Sequence, residues 1–168
     1  DTDYSPSVRP VPALEARVRL ARGELDAALR WAEQQHLSVG DELVYVREFE
    51  HLTLARVLVA IEARDRSDLG AVGLVERLMS AAEASGRTGV VIECLVLLSL
   101  ARSATGDRSG ALTAVEQALV LAEPEGFVAV FLEAGEPLRT LLRTASFDGV
   151  AASQCRVVLA AWSGAEPV

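Results

Sequence analysis

Ala28-Leu29…Ala32-Glu33, Ala71-Val72…Val75-Glu76 and Ala111-Leu112…Val115-Glu116 are three versions of one phrase: alanine, aliphatic residue, core residue, glutamate. Their leading alanines stand 43 and 40 residues apart. Read at a period of 3.6 residues, each phrase falls near the start of the second helix of a helical hairpin. A fixed period with two helices per unit marks an α-solenoid, in which each unit buries its apolar face against its neighbours. The alanine recurs for a steric reason, because two helices approach closely where one presents only a methyl group. Gly23-Glu24 and Gly106-Asp107 punctuate two of the three hairpin turns. The middle turn, 65–68, has no glycine in the corresponding place.

Working outward from these phrases, helical periodicity covers most of the chain and strand-like alternation is nearly absent. Helices are expected at about 12–22, 24–35, 42–64, 67–85, 88–104 and 108–122. Pro12 suits a first-turn position, where its missing N–H costs nothing. Asp41 is placed to cap the third helix, and Gly86 to end the fourth. The fifth is almost wholly apolar and should be central. After the break Glu123-Pro124-Glu125-Gly126, the run Phe-Val-Ala-Val-Phe-Leu at 127–132 fits a short helix or a strand by periodicity. Helix is favoured because no partner strand is evident. Two further helices are expected, from Gly135-Glu136-Pro137 to about 145 and at about 149–162. The expected organisation is therefore a Pro-rich leader (1–11), helical repeats (12–123) and a C-terminal helical cap in the same domain (124–168). The absence of an initiator Met, and three of six prolines within residues 1–12, suggest a segment of a longer polypeptide.

Composition agrees with closely packed helices. Hydrophobic residues make up 51% but aromatics only 5%, so alanine, leucine and valine must fill the core. The formal charge of −8 disfavours phosphate binding, which needs a basic stripe, and so argues against direct nucleic-acid contact. All 16 basic residues are arginine, a pattern expected of a high-GC, bacterial coding sequence. They are scattered and mostly have acidic neighbours, so an Arg-lined anion site is not what their spacing suggests. Cys94 and Cys155 match no metal spacing, and Cys94 reads as a buried small hydrophobe. Two reduced cysteines suit the cytoplasm, and no apolar run is long enough to span a membrane.

No catalytic constellation is visible. His36 and His51 lie in different elements without further ligands for zinc, and read as solvated or helix-edge residues. Carboxylate pairs such as Glu24/Asp26 and Glu48/Glu50 point to different helix faces. Ion pairing along a helix, as for Arg47 with Glu50, is their expected role. There is no nucleophile elbow, and Cys155 has no evident His partner. A phosphate-binding Walker loop is impossible without lysine. Neither catalysis, nor a cofactor, nor a metal is expected.

The hairpins resemble tetratricopeptide repeats, in degenerate form. The small residue of the first helix is Ala16 and Ser99, with Val59 in the middle unit; that of the second helix is Ala118, with Gln35 and Leu78 elsewhere. Longer phrases resemble the repeat region of large ATP-binding LuxR-type transcriptional regulators, the group related to the maltose-regulon activator. They are Ala21-Arg22-Gly23-Glu24-Leu25-Asp26-Ala27-Ala28, the stretch from Tyr45 to Leu58, that from Gly106 through Ala122-Glu123-Pro124-Glu125-Gly126-Phe127, and Val130-Phe131-Leu132-Glu133-Ala134-Gly135-Glu136-Pro137. The resemblance covers about residues 13–145.

It implies an all-α, right-handed solenoid of about three hairpins closed by the cap, with ATP and DNA handled by parts absent from this chain. It also implies that first helices line a concave face. Registering the units on the repeated alanine puts Arg17 there, with Ala13 and Ala21 beside it. In the second unit it puts Thr53, Arg56 and Arg64, and in the third Glu93 and Ser103, flanked by Val96 and Leu100. Arg56 has an alternative role in pairing with Glu48 or Glu93. The function implied is a sensor or interaction module that binds a small-molecule effector or a partner protein in a cytoplasmic regulator. The alternative is a scaffold that self-associates, for instance as a homodimer, without a small-molecule ligand.

Overall fold

The computed structural model describes residues 8–165, so the first seven residues of the expected leader and the last three of the expected cap lie outside the described residues. Among the described residues the chain is all-helical, with no strand. Three hairpins come first: α1 (Val11–Ala21) with α2 (Leu25–Gln34), α3 (Glu48–Asp65) with α4 (Ala71–Ala84), and α5 (Thr88–Ala104) with α6 (Arg108–Ala122). Then come α7 (Ala129–Glu133), α8 (Glu136–Thr144) and α9 (Gly149–Ala165). The first helices form a row, α1 against α3, α3 against α5 and α5 against α7, while α9 packs on α6 and closes the end. The 127–132 run is thus helical from Ala129 onward, and α7 extends the inner row as well as belonging to the cap.

The repeated alanines do what their position requires. Ala28, Ala71 and Ala111 are all fully buried. The closeness they permit is visible in the third hairpin, where the buried Ser99 hydroxyl donates to the Ala111 carbonyl at 2.9 Å. A side chain on α5 reaches the backbone of α6 only because neither helix interposes anything larger.

Hairpin turns need one residue in the left-handed region, and Gly23 (φ 77°) and Gly106 (φ 84°) supply it. Arg66, five residues before Ala71 just as those glycines precede Ala28 and Ala111, takes the same conformation at φ 52°. The middle turn therefore keeps the backbone of the others without their glycine. The fourth helix starts at Ala71 rather than near 67, because Gly70 is also left-handed (φ 86°). Glu62 receives the free N–H groups there, from Leu69 at 2.6 Å and Ala71 at 3.1 Å.

The third helix also starts later than expected. Residues Tyr45–Arg47 form a 3-10 turn and α3 begins at Glu48. Asp41 does not cap it; its carboxylate accepts from the Ser38 amide at 2.9 Å and pairs with His51 Nε2 at 3.0 Å. His51 is correspondingly buried, not solvated or at a helix edge, and its Nδ1 lies 3.1 Å from the Arg47 carbonyl. The His51 contact holds the Asp41 carboxyl below its ordinary value, with the Ser38 amide contributing. His36 is exposed.

The core falls into two main clusters. One gathers Trp31, Leu52, Leu74 and Leu78 across the first two hairpins; the other gathers Ile92, Val115, Leu119, Phe131 and Leu142 across the third hairpin and the cap. Met79, Val90 and Leu100 pack against both and join them. Cys94 is fully buried, and burial pushes its thiol well above the usual range, so it packs as a small apolar group. Among the described residues, no helix is long and apolar enough to cross a membrane.

Candidate functional site

The row of first helices leaves a concave groove of about 1270 Å³. Its walls come from α1, α3, α5 and α7, so it spans every hairpin and enters the cap. Apolar side chains such as Leu14, Phe49, Val90, Leu100 and Val130 line much of it. Across its floor runs a network of four charged groups.

Glu93, on α5, is the centre of that network. Arg56 Nε donates to its Oε1 at 2.7 Å. Arg17 Nη2 approaches the same oxygen at 3.0 Å, without the alignment a hydrogen bond needs. Burial alone would raise the Glu93 carboxyl, but Arg56 and then Arg17 outweigh it and hold it below its ordinary value. Burial in turn pulls Arg17 down to about 10, against the opposing pull of Glu93. The guanidinium still carries its charge at neutral pH. Its Cζ lies over the Phe49 ring, 4.0 Å from the centroid, a contact that suits a partly desolvated cation.

Glu133, from α7, completes the network loosely. It lies 3.3 Å from Arg56 Nη2 and 3.9 Å from Arg17 Nη1, and is 55% exposed, against 8–15% for the other three side chains. At the rim, Arg87 at the start of α5 donates twice to Glu48 Oε1 (2.6 and 3.0 Å). That pair ties the beginnings of α3 and α5 together.

The residues expected on the concave face separate into two groups. Arg17, Arg56, Glu93 and Ser103 line the groove. Thr53 and Arg64 do not. Thr53 is fully buried; its hydroxyl donates to the Phe49 carbonyl at 2.8 Å and accepts from Arg17 Nε at 2.9 Å, so it aims Arg17 from behind. Arg64 points outward to Asp65 at 2.6 Å and Asp26 at 3.2 Å. Its place at the rim belongs to Arg66. Of the flanking residues, Ala21 and Leu100 line the groove, while Ala13 and Val96 are buried in the core. Of the two partners open to Arg56, it takes Glu93, and Glu48 goes to Arg87. Residue-by-residue reading missed Glu133 and Phe49. Glu133 stands 77 residues from Arg56, beyond any helical spacing rule, and its only sequence signal was its place in a family-like phrase. Among the described residues, no three His, Cys, Asp or Glu side chains gather as metal ligands.

Fold and groove together define a tetratricopeptide-like helical repeat with a charged, concave inner face. The model of one family, described as MalT-like TPR region, matches residues 2–147. The chain belongs to that family. The match takes in all three hairpins, α7 and α8, and leaves α9 beyond it. No curated protein and no solved structure gives a significant match.

Proposed function

We propose that this helical region is the effector- or partner-binding module of a bacterial, cytoplasmic transcription regulator of LuxR type, whose ATP- and DNA-handling parts are not in these 168 residues. The observation that carries the reading is the groove. It is built from four inner helices, so an occupant touches every repeat at once and favours one curvature of the array over others. Apolar walls with a few fixed polar groups are what ligand sites commonly present. Binding is favoured over catalysis because the four charged groups of the floor pair with one another.

Thermal-shift titration against a panel of metabolites and candidate partner proteins tests this. At least one should raise Tm in a saturable way. The shift should vanish in Ala60→Trp, which fills the middle of the groove from a half-buried position. Saturable binding that survives Ala60→Trp unchanged would remove the groove from the reading. A second reading, a self-associating scaffold, has one feature in its favour: α9 exposes Val150 and Val157, at 48% and 50%. Light scattering separates the two, since a ligand-free oligomer lost in Val157→Glu would support the scaffold.

A further inference from the structure

We propose that the groove takes a ligand carrying one carboxylate on an apolar body, and that the Glu133 carboxylate occupies the ligand's place until it arrives. This rests on the reading of the groove as a binding site and names the chemistry that the site would select.

The four charged groups are held unequally. Arg17, Arg56 and Glu93 are fixed: each is 8–15% exposed and sits on a long helix of the repeat array. Taken alone they carry two positive charges against one negative. Glu133 supplies the second negative charge poorly. Its contacts of 3.3 and 3.9 Å are long beside the 2.7 Å of Arg56 with Glu93, and charge-assisted pairs are normally 2.7–2.9 Å. It is more than half exposed, and its helix has five residues. The pair of arginines is thus a cradle for a carboxylate, loosely filled by one from the chain itself.

The fixed donors face the right way for an exchange. Arg56 Nη2 and Arg17 Nη1 both turn toward the Glu133 side of the floor, since each reaches the same Oε2. Arg17 Nη2 is turned the other way, buried against Glu93 Oε1 at 3.0 Å, so Arg56 Nη2 and Arg17 Nη1 are the atoms a carboxylate from the groove would meet, at shorter range than Glu133 does. Displacement of Glu133 exchanges one carboxylate for another, so the charge balance of the floor is preserved and the return of Glu133 to water offsets part of the ligand's desolvation. The net gain then comes from the rest of the molecule, buried among Phe49, Val90, Leu100 and Val130. A neutral ligand has no means of releasing Glu133.

Release of the Glu133 side chain removes its ionic contacts with α1 and α3, while the buried Phe131 keeps α7 on the core.

Isothermal titration of the 168-residue chain with decanoate and with neutral decanamide tests the idea. Acetyl-Leu-Val-Phe as free acid and as amide tells a free acid from a peptide C-terminus as the source of the carboxylate. Each acid should bind at least tenfold more tightly than its amide. Glu133→Gln, a change at an exposed side chain, should tighten acid binding about fivefold and leave the amides unchanged. Arg56→Met should erase the preference for the acid. Equal binding of acids and amides, all lost in Ala60→Trp, would overturn the carboxylate cradle and leave the groove standing. Weaker acid binding in Glu133→Gln, or no binding of any probe to that variant, would also overturn the cradle.

Discussion

Glu93 is the residue on which two helices converge, and its ionisation has a stability consequence with a definite sign. Its folded value lies below the ordinary 4.5. Its contribution is therefore fully present above about that pH and is lost as the pH falls through the folded value. Glu93→Gln keeps the shape and removes the charge, leaving Arg17 and Arg56 with the loose Glu133. By urea unfolding at pH 7 the variant should be less stable by about 2 kcal/mol, below the full cost of breaking a buried pair because the groove is open to water. The gap between variant and wild type should narrow as the pH is lowered from 5 to 3. A gap constant over that range would show that the network does not depend on the ionised Glu93. At this scale the sequence offered the right residue types, and registering the repeats brought Arg17, Arg56 and Glu93 to one face. It could not separate Thr53, which faces the core from the same helix, from Arg56, which faces the groove. A helix position fixes direction to within a turn, and the depth of the neighbouring helix decides the rest.

At the scale of elements, the hairpin turns show how a repeat survives the loss of its signature residue. Gly23, Arg66 and Gly106 hold one position of the repeat and one backbone conformation. An L-residue in the left-handed region costs about 1–2 kcal/mol, which glycine avoids at the expense of greater freedom in the unfolded chain. Arg66→Gly should therefore stabilise the protein by about 0.5–1 kcal/mol in denaturant unfolding, with α3 and α4 unchanged. A loss of stability would mean that the Arg66 side chain supplies more than its backbone costs. The bounds of α5 and α6 were legible because glycine breaks both ends of the third hairpin and Asp107 caps α6, accepting from the Gly110 amide at 2.9 Å. The start of α3 was not, because Asp41 looks like a cap and is instead committed to His51. A capping residue is recognised from its local sequence only when no distant partner competes for its oxygen.

For the whole molecule, the question is whether three hairpins and a cap behave as one unit. Solenoids are stabilised by neighbour contacts and can unfold in parts. Here the two clusters share Met79, Val90 and Leu100, and the cap is anchored by the fully buried Phe131 and by Gln154 Nε2, which donates to the Phe127 carbonyl at 3.1 Å. The two tryptophans report opposite ends, Trp31 in the first cluster and Trp162 against the second. Single-tryptophan variants, Trp31→Phe and Trp162→Phe, should each unfold in urea with a fluorescence transition that coincides with the far-ultraviolet dichroism transition of the same variant. A Trp162 signal lost before the helical signal would make the cap a separate cooperative unit.

The sequence by itself determined the class of fold, the number of hairpins, the alanine seams between paired helices and the likeness to a MalT-type tetratricopeptide region. All of these rest on local periodicity or on residues a few turns apart, where helical geometry leaves little freedom. Tertiary structure alone decided that α7 joins the inner row, that Glu133 reaches Arg56, that His51 is buried against Asp41 and that Arg64 turns away from the groove. Those outcomes depend on how far each hairpin rotates against the next, which is set by the packing of side chains from several helices at once.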